Sequence, residues 1–234
     1  MMINDFVMEH AFLTCSAIYL AVAAALGRLT LPPEQFRVMH LAGLATATCG
    51  VFSYFLEYNY WTPSRLGGVR IGIEDFLISY AVGVIPWYLV AILWKKRLRV
   101  RLQWTRAIRN FLMAAASCYV TYLIAVWTGM NPMTALIAVC VLMAFALLYL
   151  RPGNWPLALT GMITFPAVWF VVVAVTFRLF PDFLTAWNLA SQWGRPLYGV
   201  PIGEIVWSVV FGAVLPLLTG IVFNVEIIRN NEKT

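Results

Sequence analysis

The sequence predicts an all-α, polytopic membrane protein with seven transmembrane helices. Of its 234 residues, 62% are hydrophobic and only 11% are charged, and the mean hydropathy is +0.81. In an average soluble domain about 25% of the residues are charged. A helix needs about 20 apolar residues to cross roughly 30 Å of hydrocarbon. Runs of that length occur near residues 8–27, 36–57, 72–94, 107–128, 132–150, 156–180 and 201–224.

The run at 8–27 has no Lys or Arg before it. It therefore lacks the basic start of a signal peptide and is expected to remain as a spanning helix. The connections between the runs are short, so residues 1–234 are expected to form a single integral membrane domain. The four cysteines lie inside predicted spans without a CxxC pattern, which indicates buried side chains rather than a metal site.

The basic residues predict the orientation of the chain. The net charge is +6, and seven of the 16 Lys and Arg residues lie at positions 95–109, in the connection between the third and fourth runs and the first residues of the fourth. Cytoplasmic loops are enriched in Lys and Arg. With that loop inside, twelve basic residues are cytoplasmic and four are outside, the N-terminus is outside and the C-terminus is cytoplasmic. This placement indicates a topology signal in a lipid membrane rather than binding of nucleic acid, with binding of anionic lipid by the loop as the lesser alternative.

The third and seventh runs resemble each other. An offset of 129 residues pairs Gly72 with Pro201, Ile73 with Ile202, Asp75 with Glu204, Ser79 with Ser208 and Gly83 with Gly212. Both runs cross in the same direction, which predicts a 3+1+3 parallel repeat with a twofold axis along the membrane normal. Repeat one covers about 1–94, the linking helix about 107–128 and repeat two about 132–224.

Four acids at the outer ends of the predicted helices are candidate catalytic residues: Glu57, Glu74, Asp75 and Glu204. Three of them follow a Gly or Pro turn and open a helix, where a carboxylate is also favoured simply as a cap of the helix dipole. Ionisable residues in membrane helices usually face the bundle interior and carry function. Both explanations stay open for these acids.

Aromatic residues near the acids are candidate substrate-binding residues. They are Trp61, Phe76, Tyr80, Trp87, Trp207 and Phe211. Aromatic faces stabilise cations by up to about 2 kcal/mol when water is excluded. A partly dry site with several carboxyl groups favours a protonated acid, which can donate a proton. This combination suits alkene protonation, carbocation ring closure and deprotonation of an isoprenoid. Such an isomerisation requires no cofactor.

The run WTPSRLGGVRIGIEDFL, which starts at Trp61, resembles the membrane lycopene cyclases of carotenoid biosynthesis. These occur as heterodimers in some bacteria and as fused chains in archaea. Each half of that family has a Trp, a short polar loop and Pro-Ile-Glu-Glu before an apolar helix. The two copies here read Gly72-Ile73-Glu74-Asp75 and Pro201-Ile202-Gly203-Glu204. The first copy has therefore lost the Pro of the family pattern, and the second has Gly203 where the family has its first Glu.

The resemblance implies a cofactor-independent lycopene cyclase in a bacterial or archaeal cell membrane, with Glu74, Asp75 and Glu204 as the matching acids. Small membrane meroterpenoid cyclases are also similar in size and layout, and their acids would correspond to Glu57 and Glu204. Either way the substrate is a hydrophobic isoprenoid from the bilayer. A small-molecule transporter and a non-catalytic membrane partner remain alternative functions. The type of ring formed, beta or epsilon, and the formation of a homo-oligomer are left open.

Overall fold

The computed structural model describes residues 10–57, 60–189, 193 and 196–228. Eight α-helices occur in these described residues. They are α1 (Ala11–Thr30), α2 (Pro33–Ala47), α3 (Ser53–Leu56), α4 (Ile73–Trp94), α5 (Trp104–Trp127), α6 (Pro132–Leu150), α7 (Trp155–Leu179) and α8 (Ile202–Val222). Two short strands, β1 (Leu98–Val100) and β2 (Val225–Ile227), form an antiparallel pair.

Seven helical segments of the described chain are long and apolar enough to cross a membrane, as the sequence predicts. The second of them, Pro33–Leu56, consists of α2, a 3₁₀ segment (Thr48–Phe52) and α3. We refer to it as the second span. It begins three residues before the predicted position because Pro33 occupies the first helical position, where a missing N–H costs nothing. The seven segments fit an integral membrane protein.

The helices α4 and α8 form the centre of the bundle. Half of the residues in the most apolar 18-residue stretch of each helix are buried, whereas only 6% of the residues in the corresponding stretch of α5 are buried. Helix α4 packs mainly against α1 and α2, and α8 packs mainly against α7 and α6. The two groups meet where α4 contacts α7 and α8. Helix α5 packs against α6 and α8 and lies at the periphery.

Glycines allow the closest helix crossings. A Cβ atom on Gly161 of α7 would overlap the backbone carbonyl of Gly212 in α8. A Cβ atom on Gly83 of α4 would lie 2.6 Å from Cβ of Thr46 in α2. Small residues at such positions let membrane helices approach until their backbones are in contact. These crossings fix the rotation of α4 and α8, and therefore which of their residues face inward.

The two ends of the bundle differ in charge. At the basic end, β1 pairs with β2, and Arg101 lies 3.7 Å from Glu226. At the acidic end, which we define by Glu57, Glu74, Asp75 and Glu204, α4 and α8 begin. The predicted orientation across the membrane also used Arg195, Arg229 and Lys233, which lie outside the described residues.

Candidate active site

A large apolar cavity lies inside the bundle. Its volume is about 610 Å³, which is within the range of small-molecule sites in proteins. Each of the seven long helical segments contributes to its wall. Among the described residues that line it, Glu204 is the one that carries a carboxyl group. The cavity therefore presents a single acid to an otherwise apolar space.

Glu204 is held by three donors that carry no charge. It is the third residue of α8, follows the turn at Pro201 and is 5% exposed. The Tyr60 hydroxyl and the Trp187 indole Nε1, at 2.9 Å, donate to its Oε1. The Trp169 indole Nε1 donates to Oε2 at 3.1 Å. Within the described chain, none of the ion pairs includes Glu204.

Aromatic rings surround this carboxyl group. The Trp169 and Trp207 ring centroids lie 5.6 Å apart, and Trp207 stacks on Phe211 at 4.8 Å. Trp61 lies 5.2 Å from Trp187. Ring faces carry partial negative charge and attract cations. A carboxylate among these rings can therefore stabilise a positive charge that forms in the cavity.

Tyr60 remains a hydrogen-bond donor over a wide pH range. Burial, followed by the neighbouring Glu204 carboxylate, raises the pKa of Tyr60 well above its ordinary value of 10.0. The phenol is therefore neutral at physiological pH. It can donate to Glu204 whenever the carboxylate is ionised.

A second group of charges, the arginine cluster, comprises Glu57, Arg65, Arg70 and Asp75. Arg65 is 7% exposed and donates to both oxygens of Asp75, at 2.7 and 3.2 Å. It also lies 3.4 Å from Glu57, which accepts a hydrogen bond from Arg70 at 3.0 Å. Asp75 in addition caps α4 by accepting from the Gly72 amide at 2.7 Å. The two acids of this cluster are thus neutralised by arginine.

Glu74 lies beside the arginine cluster and is fully buried. Its Oε1 accepts a hydrogen bond from the Leu66 amide at 2.7 Å. Its Oε2 is buried and has no hydrogen-bond partner among the residues that the structure describes. Since Leu66 lies in the loop that precedes α4, Glu74 ties this loop to the start of the helix.

The loop between α3 and α4 forms a lid over Glu204. The Thr62 amide donates to the Ala186 carbonyl at 2.7 Å, and the Asn188 amide donates to the Tyr60 carbonyl at 2.8 Å. These bonds join the loop to the segment that precedes α8. Tyr60, Trp61 and Trp187 are thereby placed at the acidic end of the cavity, and we call these three residues the aromatic lid.

The predicted site residues separate into two groups. Four of them line the cavity: Trp61, Glu204, Trp207 and Phe211. The other six are not among its described lining residues: Glu57, Glu74, Asp75, Phe76, Tyr80 and Trp87. Tyr80 is hydrogen-bonded to His40, and Phe76 is 39% exposed. Trp87 is fully buried in a hydrophobic core to which α2 and α4 contribute together with other helices.

Three residues at this end of the bundle were not singled out from the sequence. Tyr60 and Trp169 contact Glu204, and Arg65 binds Asp75. Tyr60 is adjacent to Trp61, and Arg65 lies ten residues before Asp75. Both are therefore next to or within the sequence run that starts at Trp61, and this proximity could have marked them as candidate site residues. Trp169 lies within an apolar run with nothing local to distinguish it from a lipid-facing Trp.

In the part of the chain that the structure describes, no group of three His, Cys, Asp or Glu residues is placed to hold a metal ion. No protein-family model, curated protein or solved structure matches the chain.

Proposed function

We propose that the cavity is the active site of an isoprenoid cyclase and that Glu204 is its catalytic acid. One observation carries the proposal: a buried carboxyl group, held by neutral donors, opens into a large apolar cavity with aromatic walls. An apolar cavity of this size suits a hydrocarbon chain. Its single acid is placed to transfer a proton to that chain.

The reaction is an isomerisation. Protonated Glu204 transfers its proton to the less substituted carbon of the terminal alkene, and the positive charge develops on the more substituted carbon. The π electrons of a second alkene close the ring, which moves the charge into the new ring. Loss of a neighbouring proton to the Glu204 carboxylate forms the ring double bond and restores the acid. Atoms and electrons balance without an oxidant or reductant, so the reaction is cofactor-independent.

The residues around Glu204 support each step. The rings of Trp169, Trp207 and Phe211 stabilise the carbocation, because an ion in a dry cavity gains more from ring faces than it would in water. The Tyr60 hydroxyl donates to the carboxylate after proton transfer. The aromatic lid limits the access of water, which would otherwise quench the carbocation.

The acids of the arginine cluster have a positioning role in this proposal. Asp75 and Glu57 bind Arg65 and hold the loop that carries Tyr60 and Trp61. Their carboxylates are occupied by arginine, whereas Glu204 is free of ion pairs with described residues. Of the four acids predicted from the sequence, we therefore assign the proton transfer to Glu204.

We also propose that the chain contains the 3+1+3 parallel repeat. In both groups of three, the third helix packs against the other two: α4 against α1 and α2, and α8 against α6 and α7. Asp75 and Glu204 are each the third residue of that third helix. The two copies differ in that Arg65 neutralises the first acid, which leaves the second for catalysis.

Expression in cells that accumulate lycopene tests this function, with chromatography of the extracted pigments. Cyclic carotenoids from the parent chain, and none from Glu204→Gln at equal membrane abundance, are the expected result. Unchanged lycopene with the protein present would contradict a lycopene substrate. Membranes supplied with prenylated and epoxidised aromatic substrates then test the meroterpenoid alternative.

A second candidate function is the binding or transport of a lipophilic organic cation. It is favoured by the same carboxylate, because Glu204 has aromatic neighbours and no ion pair with a described residue. Saturable binding of a long-chain quaternary ammonium ion, lost in Glu204→Gln, without cyclisation of any polyene, would favour this candidate over the cyclase.

A further inference from the structure

The residues through which the cavity reaches the surface come from two segments. Most of its described lining residues are buried or half-buried. The exposed ones are Thr48, Cys49 and Val51 of the second span and Leu112, Ala116 and Tyr119 of α5. We call this set the lateral opening. It lies between two helical segments, whereas Glu204 is buried at the acidic end.

The sequence of both edges explains why a gap forms there. The second span changes to a 3₁₀ segment at Thr48–Phe52, which is narrower than an α-helix. Opposite it, Ala114, Ala115 and Ala116 line the cavity from α5 with single methyl groups. Helix α5 packs mainly against α6 and α8. Its ring contacts with the second span are those of Tyr119 and Tyr122 on Phe52 and Phe55, and they border the opening.

The acidic end of the cavity is covered by aromatic contacts. Trp61 packs against Phe12 at 4.7 Å and against Trp187 at 5.2 Å. Trp187 also packs against Phe177 at 5.1 Å and Phe183 at 5.0 Å. This packing closes the direct path from the acidic end to Glu204. Among the described residues, the lateral opening remains as the route into the cavity.

The chemistry of the lateral opening matches hydrocarbon. None of its six side chains is charged, and the Thr48 hydroxyl is satisfied by the Ala45 carbonyl at 2.7 Å. Residues 112–119 lie in the middle of α5, away from its ends at Trp104 and Trp127. A spanning helix has its middle residues at the depth of the acyl chains.

We propose that the lateral opening is an access path from the bilayer, through which the apolar chain of a membrane-dissolved ligand enters the cavity. The end of the chain reaches Glu204 while the rest remains in the lipid. The path thus favours a long hydrocarbon chain whose leading end is apolar. This inference goes beyond the cyclase proposal, because it holds for a ligand of any reactivity.

A photoreactive lipid tests the path without an activity assay. The full chain is reconstituted in liposomes that contain a fatty acid with a diazirine at the end of its acyl chain, irradiated and analysed by mass spectrometry. We expect adducts on residues inside the cavity, such as Trp207 and Val173. Adducts on Leu142 and Phe145, which are 59% and 69% exposed on α6, show that the reagent is active at the lipid surface.

Two neighbouring variants identify the path. Ala116→Trp fills the lateral opening and should abolish the interior adducts while those on α6 remain. Ser117→Trp is the matched control, because Ser117 is exposed on the same helix but does not line the cavity. Surface adducts without interior adducts in the parent chain would overturn the proposal. Interior adducts that persist in Ala116→Trp would place the path elsewhere and would also overturn it.

Discussion

Replacement of Glu204 by Gln separates its chemical role from its structural role. The amide has the same shape as the carboxyl group but cannot supply a proton. The amide oxygen can still accept hydrogen bonds from Tyr60 and Trp187. The NH₂ group then takes the place of Oε2 of Glu204, which accepts from the Trp169 indole N–H at 3.1 Å in the parent chain. One of three hydrogen bonds is therefore replaced by two opposed donors.

The magnitudes follow from these contacts. A positioned general acid or base contributes about 10²–10⁴-fold to a rate, so the turnover of Glu204→Gln should fall by at least that factor. The Trp169 indole N–H loses its acceptor, and a buried donor that is left unsatisfied costs about 1–3 kcal/mol. We therefore expect a large loss of activity with a small change in the free energy of unfolding.

The assay measures cyclic product per folded protein in liposomes, together with the thermal melting of each variant. Glu57→Gln is the matched control, because it makes the same chemical change at the acidic end, outside the cavity lining. Glu57 only helps to position the loop, and Arg65 keeps Asp75 as its partner, so this variant should lose far less activity than Glu204→Gln. The assignment of the proton donor would be refuted if Glu204→Gln kept wild-type turnover. It would also be refuted if turnover were lost in Glu57→Gln but not in Glu204→Gln.

Three further predictions concern stability. Asp75→Asn leaves the buried Arg65 without its main partner and should destabilise the fold by about 3–5 kcal/mol, read as a lower melting temperature. The raised pKa of Tyr60 means that the folded protein keeps a proton that the unfolded chain loses above pH 10.0, so stability should fall with rising pH there. Tyr60→Phe should reduce that slope by about 1.4 kcal/mol per pH unit in alkaline unfolding, and an unchanged slope would contradict the burial of this phenol. Gly161→Ala should cost about 1–3 kcal/mol because its Cβ meets the Gly212 carbonyl, and a melting temperature equal to that of the parent would argue against this close crossing.

The lengths and approximate ends of the seven spanning segments could be predicted from the sequence. Hydrocarbon thickness requires about 20 apolar residues for each helix, and this requirement is local. The turns at Gly72 and Pro201 likewise mark the starts of α4 and α8 within one residue. The sequence also indicated Glu204 as an acid at a helix start, because a carboxylate there is unusual in so apolar a chain.

The different environments of the acids depend on tertiary structure. Asp75 and Glu204 occupy the same position in their helices, yet one binds Arg65 and the other binds Tyr60, Trp169 and Trp187. Tyr60 and Glu204 are 144 residues apart in the chain. No local pattern brings such residues together.

Hydropathy reports how long each helix is, but it does not report how a helix is rotated or which loop covers its end. Those properties come from the glycine crossings of α4 and α8 and from the hydrogen bonds that join the two loops at the acidic end. The sequence by itself therefore determined a seven-helix membrane bundle with acids at one end. Tertiary packing decided that Glu204 faces the cavity and that Glu57 and Asp75 face arginine.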